Sequence, residues 1–230
     1  MTIHAILWDL DGTLADTEAL HYRAWRETLA GYGIDHSYEE FQRGFGRTNA
    51  AILPGLLGDR ATPELVEAVA EEKEATFRRL MRADGLQTLP GVETWLAELR
   101  QAGLRQALAS SGPMVNIIAI LDTLGVGNYF ESVISGARLP AGKPDPTIFR
   151  FAAASLGAQP GACLVFEDSL AGIEAARRAG MRSVAVGQVI HQPALHEMLT
   201  LTPGPPVLFA TQLTDLTWPQ VAGSTAELAD

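Results

Sequence analysis

Two aspartates stand two residues apart in Trp8-Asp9-Leu10-Asp11-Gly12-Thr13, directly after a short apolar run. On its own, Asp-x-Asp-Gly is a common solvated turn whose carboxylates cap nearby backbone N–H groups. The preceding run, Ile3–Trp8, shows no polar alternation over its last four residues, so the two carboxylates follow a strand buried on both faces. Like charges held that close are costly unless a cation or a proton is shared between them. Metal binding or proton transfer is therefore the chemistry to look for at Asp9 and Asp11.

Three further places carry groups that would suit the same site. Ala109-Ser110-Ser111-Gly112 offers hydroxyls and backbone N–H groups at a helix start, which suits an anion or a plain N-cap. Gly142-Lys143-Pro144-Asp145-Pro146 places one lysine in a stiff loop, where a surface lysine is the simple alternative. It is not a Walker A lysine, because Ala137 stands where that motif needs glycine and Pro144 where it needs Ser or Thr. Glu167-Asp168-Ser169 closes another apolar run, and Asp168 or Ser169 could simply cap the next helix. Taken together, carboxylate oxygens without histidine or thiol partners fit Mg²⁺. A lysine and a hydroxyl beside such a metal fit a phosphoryl group.

The elements that must position these residues alternate. Apolar runs at Ile3–Trp8, Gln106–Ala109, Ser132–Ile134, Cys163–Phe166, Ser183–Val186 and Val207–Phe209 are separated by helical patterns such as Val92, Trp95, Leu96, Leu99. That rhythm predicts right-handed βαβ units and a parallel sheet, with ligands outside the carboxyl ends of the strands. Residues 16–88 break the rhythm and carry only helical signals. Ser37 and Glu40 have capping-box spacing, and Thr62-Pro63 reads as an N-cap with Pro at the first helical position. The expected division is a catalytic core of residues 1–15 and 89–230, with a helical domain of 16–88 inserted on a two-chain hinge. From Pro219 the chain reads as a short polar tail with little to hold it.

At this point the chain resembles a known family. Asp9-Leu10-Asp11-Gly12-Thr13-Leu14, Ser110, Lys143-Pro144 and Glu167-Asp168-Ser169 match, in order, the four motifs of the haloacid dehalogenase superfamily. The helical insertion looks like the C1 cap of its subfamily I, and the resemblance runs from Ile3 to about Leu216. It implies a Rossmann-like three-layer α/β core with a parallel sheet plus an inserted all-helical cap domain. It also implies an Mg²⁺-dependent phosphomonoesterase. Carried over by motif, Asp9 is the nucleophile and Asp11 the general acid and then base. Mg²⁺ would be held by Asp9, the Asp11 carbonyl and Asp168, with Glu167 close by. Ser110, Lys143 and the N–H groups around Gly12 and Thr13 would grip the phosphoryl oxygens. Asp11 sets the chain apart from the dehalogenase branch, which lacks this second aspartate.

Substrate choice falls to the insertion. On the stripe Val66, Val69, Ala70, Phe77, Leu80, Met81, one cation intrudes, Lys73, which either snorkels to water or touches substrate. The neighbouring Glu67, Glu71, Glu72 and Glu74 read as a solvated face. His21 shares a helical face with Trp25, and Glu18 follows the hinge. His21, Ala24-Trp25 and Lys73 are similar to the β-phosphoglucomutase subfamily, but Asn49 stands where that mutase has a cap arginine. Arg47, two residues earlier, could substitute. Past Ser110 and Ser111, Gly112-Pro113-Met114 replaces the mutase's polar residues. A phosphatase acting on a small phosphorylated metabolite of the sugar phosphate or phosphoglycolate type is the expectation, with a phosphosugar mutase as the alternative. A non-catalytic binding protein would have no chemical reason to hold the motif set together.

Composition narrows the rest. The 230 residues carry 17 basic against 27 acidic side chains, a net charge of −10, with pI near 4.9. That argues against nucleic acid as partner, since an electrostatic binder needs a basic face. No apolar run approaches the roughly 20 residues needed to span a bilayer. The single cysteine, Cys163, allows no intrachain disulfide and suits a reducing compartment. The start, Met1-Thr2-Ile3-His4-Ala5, lacks a basic leader region. A cytoplasmic monomer or weak homodimer is expected.

Overall fold

The computed structural model describes residues 2–223. Its strands are β1 (Ala5–Trp8), β2 (Arg105–Ser110), β3 (Ser132–Ser135), β4 (Cys163–Glu167), β5 (Arg182–Val186) and β6 (Val207–Ala210). The helices between β1 and β2 are α1 (Glu18–Gly31), α2 (Tyr38–Gly44), α3 (Asn49–Leu57), α4 (Pro63–Asp84) and α5 (Val92–Gln101). Then come α6 (Met114–Leu124), α7 (Thr147–Ser155), α8 (Leu170–Arg178), α9 (Pro193–Leu201) and α10 (Trp218–Gly223). The strands form one parallel sheet in the order β3-β2-β1-β4-β5-β6, the doubly wound Rossmann-like arrangement. All six expected apolar runs are strands.

Period-two alternation distributes β1 between two cores. Ile6 and Trp8 face α5 and α6, while Ala5 and Leu7 face α7 and α8. Trp8 stacks on Phe166 of β4 at 4.3 Å between ring centres, which stiffens the sheet at the end that carries the site. Buried polar atoms there are paired: Trp8 Nε1 donates to Gln106 Oε1, and Gln106 Nε2 to the Leu96 carbonyl.

Helices α1 to α4 are the insertion. Trp25 and Leu29 of α1 pack with Phe41, Leu53, Leu57 and Val69 in a core of their own. Leu20, Ala24, Phe77, Leu80 and Met81, however, join the cluster of the sheet, so the cap is rooted in the main core at its base. Both connecting chains run side by side. Ala15 bridges Thr88, Asp16 N–H donates to the Gln87 carbonyl, and Leu89 N–H donates to the Leu14 carbonyl. The caps expected at Ser37 and Thr62 are formed.

One expectation fails at the carboxyl end. Residues 218–223 form α10 with Val221 buried against the main core, because Trp218 and Val221 have an apolar surface to cover. The remainder of that stretch lies outside the described residues.

Candidate active site

β1 lies between β2 and β4, so the residue after Trp8 emerges at the centre of the sheet edge. Asp9 is fixed there by its N–H, which donates to the Phe166 carbonyl. Glu167 ends β4 beside it, Ser110 ends β2 on the other flank, and Lys143 enters from the loop between β3 and α7. Lys143 is buried, not a surface lysine. Its ammonium donates to Asp9 and, at 2.7 Å, to Glu167 Oε2. Burial pulls the lysine's proton affinity down, but the two carboxylates outweigh it and hold the pKa above the ordinary lysine range.

The second oxygen of Glu167 accepts from the Ser169 N–H at 3.1 Å and its hydroxyl at 2.7 Å. Ser169, not Asp168, caps α8 by accepting from the Gly172 N–H. A Cβ on Gly172 would lie 2.0 Å from Glu167 Cδ, so only glycine lets the glutamate fold over the helix start. Asp168 is left facing Asp9. The Thr13 hydroxyl donates to it at 3.1 Å.

Asp9, Glu167 and Asp168 each present an oxygen within 4.8 Å of the others. Burial first, then the charge of Glu167, pushes both Asp9 and Asp168 well above the usual carboxylate range, with Lys143 opposing. One ammonium among three carboxylates leaves the cluster short of positive charge. An all-oxygen, electron-rich set of this kind fits a small hard divalent cation. Gly12, at φ +83°, passes directly under Asp168, and a Cβ there would sit 2.0 Å from Asp168 Oδ2. The Gly12 N–H donates to the Ala15 carbonyl, so it is committed to the turn and does not meet a phosphoryl group as expected.

Asp11 points the other way, into the cap. Its Oδ1 accepts from Thr17 Oγ1 at 2.8 Å and lies 3.0 Å from His21 Nε2; its Oδ2 accepts from Ser110 Oγ at 3.3 Å. His21 stacks on Phe77, and its Nδ1 lies 2.8 Å from Lys73 Nζ. An ammonium has no acceptor, so Nδ1 must accept and Nε2 must carry the proton given to Asp11. Burial works to raise the Asp11 pKa, but His21 and Thr17, with Lys73 behind them, bring it down to about 2.

Lys73 does not snorkel. It is 3% exposed, between the rings of Trp25 and Phe77, and donates to Glu74 at 2.9 Å. Glu74 corrects the expectation of a solvated face: it is 6% exposed and accepts from Lys73, Asn49 and Asn116. Its position was readable, because residue 74 falls four after Ala70 and three before Phe77, on the apolar stripe itself. Thr17 was missed too, although it sits one helical turn before His21.

Asp9, Asp11, His21, Arg47, Lys73 and Ser111 share a cavity of about 60 Å³ between sheet edge and cap, and Asn49 joins its wall. Ser111 Oγ donates to the Gly46 carbonyl, a direct link from core to cap. Glu18 does not line this cavity. It accepts from the Tyr38 hydroxyl and lines a second groove between cap and core, which it shares with Gly12, Asp168 and Arg47.

Comparison with known proteins bears on this geometry. The family model for haloacid dehalogenase-like hydrolases matches residues 3–180, which contain every motif residue above. The chain belongs to this family. Among relatives of the hydrolase, Protein CbbY of Cereibacter sphaeroides is 34% identical over 192 residues, covering 79% of this chain and 83% of the relative. Fructose-1-phosphate phosphatase YqaB of Escherichia coli K12 is 33% identical over 187 residues, covering 79% and 95%. The crystal structure of β-phosphoglucomutase from Clostridium difficile superposes with a TM-score of 0.81 at 28% identity, covering 95% of each chain. The hydrolase thus has the fold and cap of sugar-phosphate enzymes. None of its described helices is long and apolar enough to cross a membrane.

Proposed function

We propose that this hydrolase is an Mg²⁺-dependent phosphatase of a small phosphorylated metabolite, acting through a phosphoryl-aspartate on Asp9. The carrying observation is that Asp9 and Asp11 line one cavity, Asp9 among Lys143, Glu167 and Asp168, and Asp11 against His21 and Ser110. Two carboxylates in such different surroundings suit two different tasks: a cation among the acidic groups around Asp9 would keep it ionised to attack, while Asp11 exchanges protons with its His21 neighbour.

Asp9 and Asp168, with Glu167 behind them, would hold Mg²⁺, which neutralises the crowded carboxylates and the incoming phosphate. An Asp9 oxygen bonds to phosphorus as the P–O bond to the alcohol breaks. Lys143 and Ser110 lie on either flank to hold the phosphoryl oxygens. Asp11, ionised in the free protein, takes the proton of His21 Nε2, 3.0 Å away, as His21 Nδ1 takes one from Lys73, and passes it to the departing alcohol once the anionic ester is bound. In the second half Asp11, ionised, takes a proton from the water that attacks the phosphoryl-aspartate, and phosphate leaves.

Sugar phosphates of the kind named for the relatives suit a cavity that sets Asp11, His21, Arg47 and Lys73 among aromatic rings. A mutase would need a firm grip on a second phosphate. Asn49, at the position of the mutase arginine, spends its amide on Glu74 at 2.7 Å, and Pro113 has no N–H to offer. Arg47 is the remaining guanidinium on the cavity wall. The test is a panel of phosphomonoesters with Mg²⁺, read as phosphate release and including phosphoglycolate and fructose 1-phosphate. A parallel incubation contains β-glucose 1-phosphate and catalytic glucose 1,6-bisphosphate. Glucose 6-phosphate forming faster than free phosphate would overturn the phosphatase reading in favour of the mutase.

A further inference from the structure

The chain of contacts from Asp11 through His21 and Lys73 does not stop at Lys73. Glu74 takes the lysine at 2.9 Å and Asn49 Nδ2 at 2.7 Å on one oxygen, and Asn116 Nδ2 on the other. Asn116 belongs to α6 of the core and is 3% exposed, whereas Glu74 belongs to α4 of the cap. The Asn116 Oδ1 in turn accepts from Arg78, one helical turn after Glu74. The orientation of this amide is therefore forced: reversed, it would set oxygen against carboxylate and N–H against guanidinium. A buried carboxylate with an unfilled lone pair is costly, so Glu74 is fully satisfied only while the core presents Asn116 to it. Lys73 has no other carboxylate partner among its contacts, and its place beside His21 depends on Glu74.

We propose that Glu74 and Asn116 are positioning residues that join cap to core and hold Lys73 and His21 in register with Asp11. This rests on the reading of Asp11 as the acid that protonates the departing alcohol. Neither residue touches the reacting atoms. Their effect reaches the chemistry through the Lys73–His21–Asp11 contacts, so it falls on the proton-dependent step and spares the rest of the site.

That selectivity supplies the test. An alkyl ester such as fructose 1-phosphate needs a proton on its leaving oxygen, whereas p-nitrophenolate departs without one. The value of kcat/KM reports the steps up to alcohol release. For E74Q and N116D it should fall about tenfold to a hundredfold with fructose 1-phosphate and much less with p-nitrophenyl phosphate. In E74Q an amide N–H meets the Asn116 N–H; in N116D a carboxylate meets Glu74. The double variant E74Q/N116D removes both conflicts. The amide introduced on α4 donates to the carboxylate introduced on α6, and that carboxylate still accepts from Arg78. The amide's own oxygen still accepts from Lys73 and Asn49. The double variant should recover most of the lost kcat/KM.

Thermal unfolding of all three variants separates misfolding from misplacement, and E74Q with the double variant suffices if N116D is too unstable to purify. Equal losses on the two esters, or a double variant no better than E74Q, would overturn the proposal. Failure of the unmodified protein to release phosphate from either ester would instead overturn the phosphatase reading itself.

Discussion

Lys143 Nζ lies 2.7 Å from Glu167 Oε2, and both side chains are fully buried. The lysine also serves Asp9, so one charge offsets two carboxylates at the centre of the sheet edge. Replacing it by methionine keeps the stem and removes the charge. A buried pair broken on one side costs about 3–5 kcal/mol. K143M should lose phosphate release and unfold at markedly lower urea than the parent, measured by circular dichroism.

Asp9 carries a prediction with opposite signs for activity and stability. D9N removes the nucleophile and should lower turnover by at least about 10⁴-fold in a phosphate-release assay. It also removes one charge from a cluster where burial and Glu167 already disfavour ionisation. Without Mg²⁺ the variant should therefore melt a few degrees higher than the parent, at about 2–4 °C per kcal/mol for a chain of this size. Retained turnover would show that another group attacks phosphorus.

Much of this was legible in the chain itself, for physical reasons. The strand run ending at Trp8 and the turn Asp9-Leu10-Asp11-Gly12 are local, and a parallel sheet brings its strand ends to one edge whatever the loops do. Ser110, Lys143 and Glu167 could therefore be assembled around Asp9 without coordinates. The cap was harder. Lys73 on an apolar stripe has two fates, and only tertiary packing against Trp25, Phe77 and Glu74 decides between them. Glu74 and Asn116 lie 42 positions apart on different units, and no local period links them. Gly12 carries the clearest limit. Its positive φ could be guessed from the turn, but the loss of its N–H to Ala15 could not.

Thr13 tests whether Asp168 is a metal ligand. Its hydroxyl donates to Asp168 Oδ1 at 3.1 Å. Groups that orient a ligand in this way are worth about 10–100-fold in metal affinity. T13V should raise the Mg²⁺ concentration for half-maximal activity within that range, with little change in rate once Mg²⁺ saturates. A lower rate at saturation with unchanged Mg²⁺ dependence would place Thr13 against the substrate after all.

The acidic cluster also fixes how stability responds to pH and metal. Asp9 and Asp168 bind protons more tightly in the folded protein than at their ordinary value of 3.8. Groups raised in this way favour the fold fully below the unfolded pKa, and that favour is lost as pH rises through the folded value. Asp11, lowered to about 2, acts in the opposite sense, but its contribution is complete once the pH exceeds 3.8. Above about pH 5 the raised Asp9 and Asp168 act against His36, whose burial-lowered pKa adds stability as pH rises; with two groups against one, the metal-free protein should melt lower as pH is raised. Mg²⁺ competes with the protons these carboxylates hold and binds best when they are ionised. The rise in melting temperature on adding Mg²⁺ should therefore be larger at about pH 8 than at about pH 5, measured by differential scanning fluorimetry against an EDTA-treated control. D9N should blunt both the pH slope and the Mg²⁺ shift, because it deletes one of the two raised carboxylates and one metal ligand together. A flat pH profile that Mg²⁺ does not alter would mean that Asp9, Glu167 and Asp168 do not form a metal site.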